Sequence, residues 1–266
     1  MKLDDKNFEF RFAGIERLYG KASLALLKKS SIGVIGLGGV GSWTVEALAR
    51  SGVGNIILVD LDEICENNIN RQSHALSESI GRPKGEVLKE RILAINPWCQ
   101  VAFIQDFFTA DTADKILSMP MDYLVDAIDG VSHKVLCLTE CLNRNIPLIM
   151  TGAAGGKRDP SQIQVSDLGK SFNDNLLFRV RKNLRRKFHD YKGKKRIGVD
   201  CVFSPEKSVF YNELGQSCEM PEDVETGVKL DCQQGLGSAS YVTGVFGFMA
   251  AAHVIHSITK NSTGPS

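Results

Sequence analysis

A cluster of glycines between a predicted strand and a predicted helix is the first feature that points to chemistry. The apolar run 32–35 leads into the glycines, a helical pattern follows, and the next apolar run, 56–59, ends on Asp60. Glycine lets the main chain approach a phosphate, a helix start offers N–H groups to an anion, and Asp60 can hold ribose hydroxyls. The glycines are Gly36, Gly38, Gly39 and Gly41. The pattern predicts a nucleotide site, and a tight turn in another α/β protein is the alternative.

The loop after the second apolar run is rich in polar side chains that can contact phosphates. Its candidates are Asp60, Asp62, Asn68, Arg71 and Gln72. Ligands of open α/β sheets bind beyond the carboxyl ends of the strands, so this loop is well placed. A solvated loop of turn-forming asparagines is the alternative.

Two further charged residues are predicted to lie at the same edge of the sheet. Pro83 begins a predicted helix, so Lys84 falls in its first turn, where the helix dipole disfavours a cation unless it meets an anion. A predicted buried strand ends at Asp126 and Asp129, and the Asp129 carboxylate could hold Mg²⁺ between nucleotide phosphates. A surface lysine and a helix-capping aspartate are the alternatives.

These charged residues distinguish between two kinds of reaction that use a bound nucleotide. A dehydrogenase that binds NAD has little need of Arg71, Lys84 and Asp129, because hydride transfer leaves the pyrophosphate intact. A reaction that breaks a phosphoanhydride needs cations to stabilise charge on the phosphoryl group. The sequence has no G-x-x-x-x-G-K-[ST] run, so a Walker-type loop is absent. The residues favour ATP as the nucleotide.

The elements that must carry these residues follow from the apolar periodicity. Strands are predicted at 32–35, 56–59, 99–105, 121–129, 146–151, 162–165, 199–203 and 208–211, and helices at 8–29, 83–96, 109–118 and 131–144. The alternation predicts a Rossmann-like α/β fold with a largely parallel central sheet flanked by helices. We expect an ATP-binding domain at 8–155. Residues 156–260 are predicted as a C-terminal α+β extension on the same core, with a basic helix and loop, short strands and an apolar helix.

The bulk composition is typical of a soluble globular protein, with 266 residues, 43% of them hydrophobic and 24% charged. The N-terminus is too acidic for a secretory or transit signal. Seven cysteines without a C-x-x-C pair argue against a disulfide framework and against a cysteine-rich zinc site. A reducing cytoplasm is the expected location.

Positive charge is concentrated in one segment, although the net charge is only +1. Its basic residues are Arg179, Arg181, Lys182, Arg185, Arg186, Lys187, Lys192, Lys194, Lys195 and Arg196. Such asymmetry predicts a polyanionic partner, and a solvated charged helix is the alternative.

The C-terminal stretch 232–259 contains no Asp, Glu, Lys or Arg and is long enough to span a bilayer. It also contains glutamines, serines, histidines and several glycines, which suit close helix packing. We therefore expect a buried C-terminal helix, with membrane association as the weaker alternative.

The motifs, taken in order, resemble a superfamily of adenylating enzymes. They are G-L-G-G-V-G, V-D-L-D, N-I-N-R-Q, R-P-K and D-A-I-D. The superfamily includes the ubiquitin-activating enzymes and the molybdopterin- and thiamine-pathway adenylyltransferases. The resemblance implies that ATP lies on the glycine turn and that a carboxylate attacks its α-phosphate, giving an acyl-adenylate. Its implied contacts are Asp60 to the ribose, Asn68, Arg71, Gln72 and Lys84 to the phosphates, and Asp129 to Mg²⁺ as the catalytic aspartate.

Longer stretches resemble one branch of that superfamily, the tRNA threonylcarbamoyladenosine dehydratases. They include R-F-A-G-I-E-R-L-Y-G, N-R-Q-S-H-A-L, T-G-A-A-G-G-K-R-D-P and D-C-Q-Q-G-L-G-S-A. The resemblance implies ATP-dependent activation of the threonyl carboxylate, closure to a cyclic oxazolone, loss of water, and tRNA as the partner of the basic segment. A monovalent cation is a further candidate cofactor. The alternative is an adenylyltransferase acting on a small sulfur-carrier protein, and a non-catalytic nucleotide-binding module is the third hypothesis.

The resemblance leaves two questions open. Several protein-activating members of the superfamily insert an arginine from the N-terminal arm of a partner subunit. The best-matching position is Gly14, flanked by Arg11 and Arg17, and a homodimer is expected. Cys232 could take the activated carboxyl as a thioester, as in sulfur-handling relatives, although a buried structural cysteine is the favoured interpretation.

Overall fold

The computed structural model describes residues 4–211, 217–219 and 236–260. Its helices are α1 Asp5–Arg11, α2 Ala13–Tyr19, α3 Lys21–Lys29, α4 Gly39–Arg50, α5 Lys84–Ile95, α6 Ala110–Leu117, α7 Val131–Arg144, α8 Asn175–Lys187 and α9 Ser240–Thr259. Its strands are β1 Ser31–Ile35, β2 Asn55–Val59, β3 Gln100–Ile104, β4 Tyr123–Asp126, β5 Leu148–Thr151, β6 Gln164–Asp167, β7 Asp200–Phe203, β8 Val209–Tyr211 and β9 Ser217–Glu219.

Seven strands form one sheet in the order β3-β2-β1-β4-β5-β7-β6. All neighbours are parallel except β6, which runs antiparallel to β7. Ile35 pairs with both Val59 and Asp126, so β1, β2 and β4 end at the same edge, called here the carboxyl edge. The predicted Rossmann-like α/β fold is confirmed.

Helices cover both faces of the sheet, which explains why its central strands are continuous apolar runs. One face packs against α4, α5 and α9 through Leu48, Leu88 and Val254. The other face packs against α6, α7 and α8 through Ile116 and Leu138, among others. The strands therefore end between two layers of helices, and the loops that follow them can place polar side chains at the carboxyl edge.

The apolar helix α9 lies directly against α4. A Cβ at Gly247 would lie 2.6 Å from the carbonyl oxygen of Val40, so only glycine permits this approach. Thr44 Oγ1 also donates to the carbonyl oxygen of Gly247 at 3.2 Å. By length and composition α9 could cross a membrane, but 56% of its most apolar window is buried in the described structure. Its position matches that of a core helix.

The sheet extends into the second half of the chain through β6 and β7. The strand predicted at 162–165 is shifted, because residues 160–162 form a short 3₁₀ turn before β6. Asp159 causes the shift, since its carboxylate accepts a hydrogen bond from Ser161 N at 2.9 Å and caps that turn.

Candidate active site

The glycine turn joins β1 to α4 at the carboxyl edge. Gly36 has φ 87°, and a Cβ there would lie 2.7 Å from the carbonyl oxygen of Ala127. A Cβ at Gly41 would overlap the carbonyl oxygen of Gly36, at 1.8 Å. Helix α4 starts at Gly39, and its N-cap Gly38 supplies no side-chain hydrogen bond. The start of α4 therefore presents main-chain N–H groups to an anion.

Asp60 connects the glycine turn to the end of β2. Its Oδ2 accepts a hydrogen bond from Leu37 N at 2.6 Å, and its Oδ1 accepts one from Asp62 N at 2.8 Å. Burial raises the pKa of Asp60, while the charge of Lys84 and these hydrogen bonds oppose the rise. The contact of Asp60 with a ribose stays a prediction, and its observed hydrogen bonds join the glycine turn to the loop after β2.

Lys84 lies in the first turn of α5, as the sequence predicts, although the helix begins at Lys84 and Pro83 is its N-cap. It is buried, and its Nζ lies 2.7 Å from Oδ2 of Asp62, whose side chain is 55% exposed. The main chain of Lys84 also donates to the carbonyl oxygen of Asp62 at 3.0 Å. Lys84 therefore lies at the carboxyl edge as a buried cation that is paired with an exposed acid.

The loop after β2 brings Arg71 and Gln72 to the start of α4. A Cβ at Gly39 would lie 3.6 Å from Cγ of Arg71, and a Cβ at Gly38 would lie 3.9 Å from Nε2 of Gln72. Gln72 is buried, and its Oε1 has no hydrogen-bond partner in the described structure. An orphaned buried acceptor at a helix start is the kind of atom that a ligand or a water satisfies.

The main chain of Arg71 is fixed from two sides. Trp43 Nε1 and Thr243 Oγ1 both donate to its carbonyl oxygen, each at 3.0 Å. The Arg71 guanidinium donates to Oδ1 of Asn70 at 2.9 Å. Helices α4 and α9 therefore hold Arg71 at the glycine turn.

Asn68 has a structural partner within its own loop. It is buried, and its Oδ1 accepts a hydrogen bond from Cys65 N at 3.2 Å. Its Nδ2 donates to Oδ1 of Asn67 at 2.7 Å. The contact of Asn68 with phosphate stays a prediction, and its observed bonds shape the loop that carries Arg71.

Asp129 is exposed just beyond the end of β4, beside the glycine turn. Within the described residues, no group of three or more His, Cys, Asp and Glu side chains is placed to hold a metal ion. A single exposed carboxylate still fits Mg²⁺, which usually takes one or two carboxylates and completes its shell with phosphate oxygens and water. ATP fits as well, since the start of α4 has no side-chain cap, Arg71 lies beside Gly39, and the charge of Lys84 acts on Asp60.

Lys134 is not identified from the sequence, and its ion pair with Asp126 stabilises the turn that contains Asp129. Lys134 and Asp126 are fully buried, with Nζ 3.0 Å from Oδ1. Burial raises the pKa of Asp126, and the adjacent Lys134 opposes the rise. The sequence feature that could have identified Lys134 is its position in the helix, because Lys134 shares the buried face of α7 with Leu138 and Cys141.

The basic segment forms an exposed surface around α8 and the loop that follows. Its exposed basic residues are Arg179, Lys182, Arg186, Lys187, Lys192, Lys194, Lys195 and Arg196. A cavity of about 560 Å³ opens between Lys170, Arg185 and the loop 193–196. Arg181 differs from the predicted pattern, because it is buried and its Nη1 donates to the carbonyl oxygen of Leu168 at 3.3 Å.

Arg11 is held away from the glycine turn of its own chain. Its Nη1 donates to the carbonyl oxygen of Ile95 at 2.7 Å, and its guanidinium lies 5.6 Å from the ring centroid of Trp98. Ile95 ends α5 shortly before β3 begins, at the opposite edge of the sheet. Arg17 is exposed on α2. Cys232 lies outside the described residues.

Comparison with known proteins shows the family of the chain. The chain matches the model of the ThiF family over residues 13–266. It is 45% identical over 246 residues to the tRNA threonylcarbamoyladenosine dehydratase of Escherichia coli (strain K12), covering 92% of each protein. The crystal structure of E. coli tRNA N6-threonylcarbamoyladenosine dehydratase, TcdA, in complex with ATP gives a TM-score of 0.84 at 40% identity and 98% coverage of both chains.

A relative with the alternative activity matches a shorter stretch. The sulfur carrier protein ThiS adenylyltransferase of E. coli (strain K12) is 32% identical over 129 residues, which is 48% of this chain and 51% of that protein. The resemblance that the motifs predict is confirmed by these matches. The chain belongs to the ThiF family.

Proposed function

We propose that the chain is an ATP-dependent tRNA dehydratase that converts threonylcarbamoyladenosine to its cyclic oxazolone form. The observation that carries the proposal is similarity to an E. coli dehydratase of that name along 92% of both chains. A match of that span includes both the glycine turn and the basic segment. The 129 residues shared with the sulfur carrier adenylyltransferase are too few to include both, so the alternative activity is not favoured.

ATP binds with its phosphates at the start of α4 and its ribose at Asp60. The N–H groups that follow Gly38 and the side chains of Arg71 and Lys84 stabilise negative charge on the phosphates. Gln72 would contact a phosphate through its amide N–H groups, because phosphate oxygens accept hydrogen bonds, and its buried Oε1, which has no partner in the described structure, needs a donor from elsewhere in the bound nucleotide or from water. Asp62 and Asn68 complete the loop around the phosphates.

Activation gives the threonyl carboxylate a leaving group. One carboxylate oxygen attacks a phosphorus of ATP, the α-phosphorus in adenylation or the γ-phosphorus in phosphorylation, and pyrophosphate or ADP leaves. The carbamoyl oxygen then attacks the activated carbon, and AMP or phosphate leaves with the carboxylate oxygen. Release of a carbamoyl N–H proton completes the oxazolone, so the nucleoside loses one water. Arg71 and Lys84 stabilise the charge that develops on phosphate in the first step.

Asp129 is proposed to hold Mg²⁺ at the phosphates. When bound there, the ion supplies Lewis-acid stabilisation of phosphate charge. Asp129 is suited to this because it is exposed at the carboxyl edge and the buried Asp126–Lys134 pair fixes the turn in which it lies. A monovalent cation stays a sequence prediction, and no residue is assigned to it.

The basic segment is proposed to contact tRNA phosphates. The assigned residues are Arg179, Lys182, Arg185, Arg186, Lys187, Lys194, Lys195 and Arg196. Arg181 is left out, because its guanidinium is buried and bonded to Leu168. Charge supports the assignment, since each phosphate neutralised by a cation releases counterions and strengthens binding at low salt.

A homodimer in the cytoplasm completes the proposal. Helix α9 leaves Tyr241 and Phe248 exposed, and the Phe248 ring lies 5.8 Å from that of Trp43. An apolar surface of this kind suits a second copy of the chain, and Trp43 would connect that interface to Arg71. The free thiols of the described structure, such as exposed Cys65, are consistent with a reducing compartment.

The proposal is tested by comparing two carboxylate substrates. The protein is incubated with ATP, Mg²⁺ and either tRNA that carries threonylcarbamoyladenosine or a peptide with the C-terminus of a sulfur carrier protein. We expect the modified tRNA to stimulate release of AMP or ADP, while unmodified tRNA and the peptide do not. Stimulation by the peptide, with no effect of modified tRNA, would overturn the proposal.

A further inference from the structure

Two exposed phenylalanines lie beside the basic segment, at the start of α8. Phe172 precedes the helix and is 52% exposed, and Phe178 lies at the end of its first turn and is 54% exposed. Neither has a role in the ATP chemistry described above. Half-exposed aromatic rings surrounded by basic side chains are a feature of surfaces that bind unpaired nucleic-acid bases.

Phe172 is fixed in position although half of it is exposed. Its ring meets that of Phe203 nearly edge-on, with centroids 5.6 Å apart. The next residue, Asn173, donates from Nδ2 to the carbonyl oxygen of Pro205 at 2.7 Å. Lys157 Nζ donates to the carbonyl oxygen of Asn173 at 3.1 Å. The ring is therefore held before any ligand arrives, which reduces the entropy lost on binding.

Arg181 connects the two phenylalanines. Its Nη1 donates to Ser171 Oγ, in the residue before Phe172, and to the carbonyl oxygen of Leu168. Its guanidinium carbon lies 5.9 Å from the ring centroid of Phe178. A buried, fixed arginine thus contacts the Phe178 ring and bonds the residue before Phe172, which gives a role to the one basic residue of α8 that is withdrawn from phosphate contact.

The rings lie close to the carboxyl edge. Asp174, the N-cap of α8, accepts a hydrogen bond at Oδ2 from Ala153 N at 2.9 Å. Ala153 follows the end of β5, and β5 is the neighbour of the strand that leads to Asp129. The start of α8 is therefore attached to the edge of the sheet where ATP is proposed to bind.

Positive charge continues from the rings along the same face of the helix. Phe178, Lys182 and Arg186 follow one another at intervals of four residues, and all three lie at the surface. Residues at this spacing lie on one face of a helix. A nucleic acid that follows this face would meet an aromatic ring near the carboxyl edge and cations farther away.

We propose that Phe172 and Phe178 form a platform on which unpaired bases of the tRNA anticodon loop stack. The inference rests on the proposed function, and the resemblance to the dehydratases implies that the substrate adenosine lies beside the anticodon. Bases of a loop can be splayed out and stacked on aromatic side chains, whereas a paired stem offers its phosphates to Lys182 and Arg186. The platform holds the loop while the modified adenosine enters the site.

The test measures binding of a fluorescent anticodon stem-loop RNA by anisotropy over a range of salt concentrations. Phe172→Ala and Phe178→Ala should each weaken binding about tenfold, because each removes the aromatic face on which a base stacks, and should leave the salt slope unchanged. Phe172→Trp and Phe178→Trp should retain binding, because an aromatic face remains. A paired RNA stem without the loop should bind the wild type and the alanine variants equally. The melting temperature of each variant checks that the fold is retained.

Two results separate the platform from the proposed function. Folded alanine variants that bind the stem-loop as tightly as the wild type would overturn the platform, even if the wild type dehydrates tRNA. Equal weakening of stem-loop and paired stem would also overturn it, because the effect would then not depend on unpaired bases. A wild type that binds the stem-loop through both rings but never forms oxazolone would support the platform and overturn the proposed function.

Discussion

Lys134 Nζ lies 3.0 Å from Asp126 Oδ1, and neither side chain is exposed to solvent. Asp126 Oδ1 also accepts a hydrogen bond from Ile128 N at 3.0 Å, and Lys134 donates to the carbonyl oxygen of Asp126 at 3.2 Å. This ion pair fixes the turn between β4 and α7. Because Asp129 lies in that turn, the pair positions the residue proposed to hold Mg²⁺.

Removing only one partner of the pair should destabilise the fold. Lys134→Met leaves the Asp126 carboxylate buried and uncompensated, which typically costs about 3–5 kcal/mol. We expect a decrease of that size in the free energy of unfolding, measured by urea denaturation. The double variant Asp126→Leu/Lys134→Met is the matched control, and it should recover most of the decrease because no buried charge remains. A single variant as stable as the wild type would contradict the finding.

Asp129→Asn should abolish turnover without affecting the fold. The side chain is exposed, so its substitution leaves no buried group unpaired, while removal of the carboxylate weakens the proposed Mg²⁺ site. We expect the rate of oxazolone formation to fall by roughly 10²-fold or more, with the melting temperature unchanged. Asp111→Asn, at an exposed position on α6, should retain full activity. Normal turnover in the Asp129 variant, at limiting Mg²⁺, would remove this residue from the site.

Gly41→Ala should destroy the ATP site through a steric conflict. A Cβ at Gly41 would lie 1.8 Å from the carbonyl oxygen of Gly36, so the turn must move. We expect ATP affinity to fall at least about tenfold, measured by calorimetry, and destabilisation of roughly 1–3 kcal/mol. The control is Gly14→Ala in α2, where a Cβ meets nothing within 4 Å. That variant should bind ATP normally and gain about 0.5–1 kcal/mol, so equal effects at both glycines would refute the steric argument.

The stability of the protein should depend on pH through His74. Burial, reinforced by the charges of Lys84 and Arg91, lowers the pKa of His74 to about 3 from 6.5. Below pH 6.5 the unfolded chain binds a proton at this imidazole that the folded chain does not. His74 therefore contributes full stability above pH 6.5, and that stability decreases as the pH falls toward about 3, by at most about 1.4 kcal/mol per pH unit.

His74→Leu isolates this effect from that of the other titrating groups. Both ring nitrogens lack hydrogen-bond partners in the described structure, so an apolar side chain costs little stability at pH 7.5. Between pH 6.5 and 4.5 the variant should gain about 1–3 kcal/mol relative to the wild type in denaturation experiments. Parallel stability profiles for the two proteins would show that His74 does not carry the dependence.

Charge reversal on α8 should weaken tRNA binding in a salt-dependent way. Lys182→Glu, Arg186→Glu and Lys187→Glu each remove a cation that is exposed. The slope of log affinity against log salt should become shallower by about one for each phosphate that the variant no longer neutralises. Reversal at the exposed Lys21 in α3 is the control and should leave the slope unchanged. An unchanged slope in the α8 variants would show that tRNA binds elsewhere.

Much of the site follows from the sequence because its residues lie at the ends of regular elements. Lys84 lies in the first turn of α5, as the proline predicts, whereas the strand predicted at 121–129 is shorter, because β4 ends at Asp126 and Asp129 lies in the loop beyond it. Parallel strands bring their carboxyl ends to one edge, so a sequence that predicts the strands also predicts which loops meet there. The sequence alone therefore predicts that Asp60, Arg71 and the glycine turn lie at the same edge of the sheet.

Other features depend on tertiary packing that no local pattern contains. Arg181 reads as one more cation of a basic run, yet its guanidinium is buried against Leu168. The buried pair of Lys134 with Asp126 joins a helix to a strand, and only the packing of α7 on the sheet brings the two charges together. Arg11 resembles an arginine that could enter an active site, but Ile95 and Trp98 hold it at the other edge.

The most direct measurement follows the fate of the threonyl carboxylate oxygen. tRNA whose threonylcarbamoyladenosine carries oxygen-18 in that carboxylate is incubated with the protein, ATP and Mg²⁺, and nucleosides and nucleotides are analysed by mass spectrometry. We expect the nucleoside to lose one labelled water equivalent and one labelled oxygen to appear in AMP, for adenylation, or in phosphate, for phosphorylation. An unchanged nucleoside mass, or an oxazolone formed with no label in either phosphate product, would contradict ATP-dependent activation of the carboxylate.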